Sequence, residues 1–214
     1  TGFDKHGHAI KISIPPTLLI TSIGVVEDVS QIVSLDIKIP GDLVYVLNET
    51  FEEMGASEYF AMHGEKKKIS YIGNMVPKVN ARKNKKLYEA YYSCIKRGLI
   101  ASSQSVNRGG LGVALCKKAI GGMLGLKIDL RKLPGKVSRE DYALFSESQG
   151  RIVVTVAPEN RKIFEILMKG SAFSCIGEVS KDANFIITGL KGSIIVNTDI
   201  NVLLNSYKDT FKGY

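Results

Sequence analysis

Residues 98–122 read GLIASSQSVNRGGLGVALCKKAIGG, and this stretch decides the fold class. A short strand, Leu99–Ser102, leads into the largely polar Gln104–Arg108 and then to the pair Gly109-Gly110. The apolar run Leu111–Ile120 follows as a helix and is closed by Gly121-Gly122. A strand that turns through glycines into a helix aims backbone N–H groups and the positive helix end at one point, which suits a phosphate. The plainer reading is that glycine only lets the helix pack closely on the sheet. Residues alone leave both readings open.

Working outward, Asn80–Arg97 is the longest helix candidate. Leu87, Tyr91, Cys94 and Ile95 recur at spacings of three and four, the lysines lie on other faces, and Gly98 ends the helix. Pro40-Gly41-Asp42 is a turn into a buried strand, Leu43–Leu47. Ser57 caps a short helix through Met62, with Glu58 in its first turn, and Gly64–Met75 reads as loop. Ile12–Val26 is β-branched and, with Pro15 and Pro16, reads as extended.

Downstream, strands are expected at Leu126–Leu130, Arg151–Val156, Phe173–Val179, Asn184–Thr188 and Ser193–Val196, with a turn at Pro134-Gly135. Helices are expected near Ser138–Leu144, over Pro158–Met168, and from Ile200 to Tyr207 behind an Asp199 cap. The pattern predicts an α+β fold: a mixed or mostly antiparallel sheet with helices packed on one face. Residues 1–30 read as the end-piece of a preceding domain and residues 31–214 as one domain.

Composition narrows the function. The net charge is +8, but the clusters Lys66–Lys68 and Lys78–Lys86 lack a nucleic-acid motif or interleaved aromatics. They read as a solvated helix face that favours small anions, with no nucleic-acid partner. No apolar run approaches the roughly 20 residues of a membrane span. Cys94, Cys116 and Cys175 are odd in number and far apart, which fits free thiols and a cytoplasmic setting. His6, His8 and His63 bring no partner for a catalytic set or a metal site. Thr1 at the start suggests a piece of a longer chain.

Residues 144–151, LFSESQGR, place Glu147, Ser148 and Gln149 ahead of a strand. Such side chains can hydrogen-bond a sugar hydroxyl or an amide, or simply cap a turn.

Together these stretches resemble the large subunit of the phosphoribosylformylglycinamidine synthases. Pro40–Leu47 is similar to that family's PGDLIYLL, Met54–Tyr59 to its LGGSEY, and Val76–Val79 to its VPKVD. Gly98–Ser102 and Gly109–Leu115 are similar to the two sides of its GLVASCHDxSDGGLAVAL signature, and Leu144–Arg151 to its LFSES strand start. Ile14–Val29 resembles the end of the preceding nucleotide-handling domain.

The resemblance implies the C-terminal domain fold of aminoimidazole ribonucleotide (AIR) synthetase, in an enzyme that activates a formyl amide with ATP and Mg²⁺. Ammonia from a glutaminase subunit or domain then displaces the phosphate. Partners would be the remaining domains of the synthase and that glutaminase, and a homodimer is compatible with the reading. The family's catalytic histidines and most metal-binding carboxylates fall upstream of Thr1. Within the signature, Gln104 stands for His, Ser105 for Asp, Asn107 for Ser and Arg108 for a second Asp.

The expectation is therefore no catalytic residue and no metal ligand on this chain, with no cofactor assured to it. Any site would be degenerate or structural. Ligand-contact candidates are Glu147, Ser148 and Gln149, joined by Ser105, Asn107, Gly109 and Gly110. The other reading is a stand-alone, non-catalytic domain that binds nucleotides or assembles subunits.

Overall fold

The computed structural model describes residues 2–11, 17–209 and 212. The chain divides into two compact units, Thr1–Ser30 and Gln31–Tyr214.

In the first unit, β1 (Gly2–Phe3) pairs antiparallel with β2 (Ala9–Ile10). The Asp4 carboxylate accepts from the His6 and His8 N–H groups at 2.8 and 2.9 Å, which closes the turn and lowers the Asp4 pKa. A polar tail is thus organised as a small hairpin. The extended strand expected over Ile12–Val26 is not found: Ile12–Pro16 lie outside the described residues, and Thr17–Val26 enter no ladder. A β-branched segment becomes a strand only beside a partner strand, and this unit supplies none to Thr17–Val26.

The second unit opens with β3 (Leu43–Leu47), β4 (Thr50–Phe51), α1 (Glu58–Lys67), α2 (Ala81–Lys96), β5 (Ser102–Ser105) and α3 (Gly110–Gly122). It continues with β6 (Gly125–Asp129), β7 (Gly135–Lys136), α4 (Glu140–Phe145), β8 (Ile152–Val156) and α5 (Arg161–Leu167). The last elements are β9 (Phe173–Ser180), β10 (Asn184–Thr188), β11 (Ile194–Asp199) and α6 (Ile200–Asp209). Seven strands form one sheet in the order β11-β10-β6-β9-β3-β8-β5. All its pairs are antiparallel except β6–β10, so the sheet is mixed, within an α+β fold.

Helices cover both faces rather than the one expected. Along β3, Val44 and Val46 join a core with Leu111 and Leu115 of α3 and Ile200 of α6. Tyr45 and Leu47 join a second core with Leu87 and Cys94 of α2 and Phe164 of α5. The reason is in the β3 sequence, LVYVL, which is apolar at every position; a one-sided sheet would alternate with polar residues. Burying both faces of β3, β8 and β9 requires helices above and below.

Local chemistry sets most boundaries. Ser57 Oγ accepts from Phe60 N at 3.2 Å and Asn80 Oδ1 from Lys83 N at 3.0 Å, so α1 and α2 start where polar caps stand. Helix α1 runs on to Lys67, past the loop expected from Gly64. The β5 strand is Ser102–Ser105 and not Leu99–Ser102: its ladder with β8 starts at Ser102 opposite Thr155. There Ser102 Oγ and Thr155 Oγ1 are 2.6 Å apart and fully buried.

Lys118 of α3 completes that buried cluster. It is inaccessible to solvent and donates to Ser102 Oγ at 2.6 Å and to the Leu35 carbonyl at 3.1 Å. Its own carbonyl accepts from Ile37 N, which straps residues 35–37 over the end of α3. Burial, assisted by Lys38 and opposed by Asp36, lowers the Lys118 pKa to about 7 from 10.5. Between those values the unfolded chain binds more protons, so the folded state gains stability as pH rises from 7 towards 10. We expect the unfolding free energy of the wild type, from urea titrations, to rise over that range by up to about 1.4 kcal/mol per pH unit. Lys118→Met should flatten this component. A mutant slope equal to the wild-type slope would refute the assignment.

Candidate functional site

The segments singled out in the sequence meet around one buried cation. Arg151, just ahead of β8, is 1% exposed. Its guanidinium donates to the carbonyls of Ser148 at 3.0 Å and Ser146 at 2.5 Å, and to Thr50 Oγ1 at 3.0 Å. Burial lowers its pKa to about 10, opposed by the Glu53 and Glu147 carboxylates, so it remains charged at neutral pH. With the 146 and 148 carbonyls turned inward, the intervening Glu147 side chain points elsewhere.

It points at two helix starts. Glu147 Oε1 accepts from Glu58 N, the first residue of α1, and from Gly109 N, the cap of α3, each at 2.9 Å. One carboxylate oxygen therefore sits where the partial positive ends of α1 and α3 converge. Arg108 lies beside it, with Nε 2.7 Å from Glu58 Oε1 and its Nη2 on the same oxygen. That contact raises the Arg108 pKa.

The remaining candidates are distributed around this centre. Ser148 is buried, and its Oγ accepts from Phe51 N at 3.1 Å, tying the segment to β4. Gln149 is exposed and donates to the Glu147 carbonyl at 3.3 Å. Ser105 is an exposed residue of the edge strand β5, and Asn107 is exposed with its carbonyl accepting from Gly110 N. Gly109 and Gly110 have φ of 84° and 70°. A Cβ on Gly110 would come within 2.6 Å of the Leu144 and Ser146 carbonyl oxygens. Close packing of α3 therefore requires glycine there, whatever else the junction does.

The structure thus brings Glu147, Gly109, Gly110 and Ser148 together and leaves Ser105, Asn107 and Gln149 at the surface. Sequence reasoning missed Arg151 as the organiser, although a charged residue abutting the β-branched run IVVTV is the signal for a buried, paired cation. It also missed Glu53, Asn48 and Asn84, whose significance depends on folding. No group of three or more His, Cys, Asp or Glu residues is placed to hold a metal ion among the described residues. No helix among them is long and apolar enough to cross a membrane.

Residues 40–189 match the protein family described as "AIR synthase related protein, C-terminal domain". The chain belongs to that family. It is 37% identical over 201 residues to the phosphoribosylformylglycinamidine synthase subunit PurL of Methanocaldococcus jannaschii, covering 92% of this chain and 26% of that protein. It is 33% identical over 204 residues to PurL of Caldanaerobacter subterraneus, covering 94% and 26%. The chain thus spans about a quarter of the length of these relatives. Among solved structures, Thermotoga maritima PurL complexed with FGAR superposes with a TM-score of 0.69 at 18% identity, over 82% of this chain and 30% of that one. The HypE–HypF complex gives 0.54 at 20% identity, over 78% and 55%. Both likenesses speak for the AIR synthase-related fold.

If Arg151 organises the centre, Arg151→Met should destabilise the chain by about 3 kcal/mol or more, because carbonyls turned inward lose their donors. Glu147→Ala, which uncovers two helix starts, should cost about 1–2 kcal/mol. Thermal or urea unfolding decides both. Equal and negligible losses would contradict the hydrogen-bonding scheme.

Proposed function

We propose that this chain is the C-terminal part of a phosphoribosylformylglycinamidine synthase large subunit. The carrying observation is that 37% identity extends over 92% of the chain but 26% of the Methanocaldococcus subunit. The family motifs around Arg151 also converge in space. The whole enzyme would use ATP to convert the formyl amide oxygen of formylglycinamide ribonucleotide into a phosphate leaving group. Ammonia released from glutamine would displace it to give formylglycinamidine ribonucleotide.

ATP-bound forms of the Thermotoga PurL structure support nucleotide use by the family. A PurLQS structure supports partner subunits, and a glutaminase among them would be the ammonia source. Mg²⁺, a cytoplasmic setting, and residues 1–30 as the end of a preceding domain belong to the same reading.

Within this chain the donor set does not fit a nucleotide phosphate or Mg²⁺ at the α1–α3 junction. Glu147 already occupies the N–H groups of Gly109 and Glu58, and Glu58 is neutralised by Arg108. The contribution of Glu147, Ser148, Gly109 and Gly110 is therefore a rigid scaffold, with Ser105, Asn107 and Gln149 facing outward for neighbouring domains or substrate. A self-filled anion seat also favours, as the second reading, a non-catalytic assembly domain.

Formylglycinamide ribonucleotide, ATP, Mg²⁺ and ammonia supplied to the 214-residue chain should yield no product, whereas the longer protein containing it should turn over. Deleting residues 31–214 from that protein should abolish activity. Turnover by the chain alone, or full activity without it, would overturn the proposal. Calorimetric titration of the chain with Mg²⁺ should show no site sensitive to mutation of Ser105 or Arg108; a signal lost on such mutation would contradict the misfit.

A further inference from the structure

A cleft of about 560 Å³ lies beside β4, between the β3–β4 turn, the segment before α2, the first turn of α2, and Ser148-Gln149. Its volume is in the range of small-molecule sites. The Arg151 and Glu147 contacts do not account for the polar groups it presents.

Glu53 is the first of these. It is 8% exposed, yet it lines the cleft. One oxygen accepts from Lys78 N at 3.0 Å, and the other takes no hydrogen bond from the described residues. Its charge supports that of the buried Arg151 guanidinium. Glu52 is half-buried: one oxygen accepts from Ser138 N and Oγ at 2.8 and 2.6 Å, and the other has no partner among the described residues. A nearly buried carboxylate with a vacant oxygen suits a cationic N–H donor.

The cleft also presents donors, and the orientation of its asparagine amides follows from the hydrogen-bond network. Asn48, itself buried and at φ 73°, faces the carbonyls of Gln149 and Gly150 at 3.4 and 3.5 Å, which only accept. Its amide nitrogen must face them, and the same nitrogen lies 3.0 Å from Asn84, whose oxygen therefore turns to Asn48. Asn84 Nδ2 is left as a donor without a partner among the described residues. It lies against Gly150, where a Cβ would approach it to 2.5 Å. Asn80 commits its oxygen to the α2 cap, and neither its Nδ2 nor the Lys78 ammonium has a partner among the described residues. Phe51, Met75, Val76 and Val79 also line the cleft and give it apolar surface.

We propose that this cleft binds a zwitterionic α-amino acid with an apolar side chain, its ammonium on Glu53 and Glu52 and its carboxylate on Lys78 with the Asn80 and Asn84 amides. A phosphate ester fits less well. Three carboxylates, Glu49, Glu52 and Glu53, face two lysines, and Lys83 is already paired with Glu49. A simple amine would leave the donors of Lys78, Asn80 and Asn84 unmatched. This inference is independent of the synthase reading, and either can fail without the other.

The test is calorimetric titration of the full chain with L-phenylalanine, with phenethylamine, which lacks the carboxylate, and with 3-phenylpropionate, which lacks the ammonium. Saturable binding of L-phenylalanine, at least tenfold tighter than either truncated analogue, is the expected result. Glu53→Gln should weaken L-phenylalanine at least tenfold. Lys78→Ala, at an exposed side chain whose backbone N–H still serves Glu53, should weaken it by a similar factor and keeps the test alive if Glu53→Gln does not fold. No saturable binding, equal affinity for a truncated analogue, or unchanged affinity in the Lys78→Ala protein would overturn the proposal.

Discussion

The guanidinium of Arg151, buried at the start of β8, is the constraint on which the centre of the domain depends. Removing a charge from water costs several kcal/mol unless it is fully hydrogen-bonded and compensated. Here two carbonyls and a threonine hydroxyl accept from it, and two carboxylates stand near. Because Ser146 and Ser148 must turn their carbonyls inward to serve it, the backbone between them has one course. The outward aim of Glu147, the reach of Ser148 to β4, and the approach of Gly110 to residues 144–146 all follow from that course.

The same geometry explains why a junction that looks suited to phosphate binds its own side chain instead. Two helix N-termini converge, which would attract any anion. A carboxylate tethered a few bonds from a fixed backbone is present at high effective concentration, and a free anion must displace it. Arg108 reaches Glu58 across the junction and adds an ion pair beside the filled seat. With about four-fifths of its side chain exposed, that pair contributes little stability of its own. Its effect is to neutralise Glu58.

Much of the fold was legible, and the exceptions have physical causes. Leu43–Leu47, Asn184–Thr188, the Asn80-capped helix and the Asp199-capped helix follow from periodicity, turn residues and caps, which are local. The β5 strand was misplaced because SSQS carries no hydrophobic signal; its pairing is fixed by a buried Ser102–Thr155 contact across the sheet. Helices on the second face leave no local mark: an all-apolar β3 signals burial on both sides but not which elements cover each. In the site, glycines and Glu147 were visible as unusual residues at a junction. That Glu147 fills the seat, and that Arg151 directs it there, depends on residues about 90 to 100 positions apart meeting, which no local pattern encodes.

The left-handed backbone at Asn48 and at Gly150 belongs to this tertiary layer too. Asn48 accepts its strained φ because its amide bridges Asn84 to the carbonyls just ahead of Arg151. Gly150 accepts its own because Asn84 occupies the space a side chain would need. The wall of the β4 cleft and the backbone that carries the buried cation are thus one piece. Glu53 belongs to both, since it faces the cleft and supports the charge of Arg151. A cation drawn to Glu53 would compete for the field that stabilises the guanidinium, so occupancy of the cleft and the packing of residues 146–151 are electrostatically coupled rather than merely adjacent.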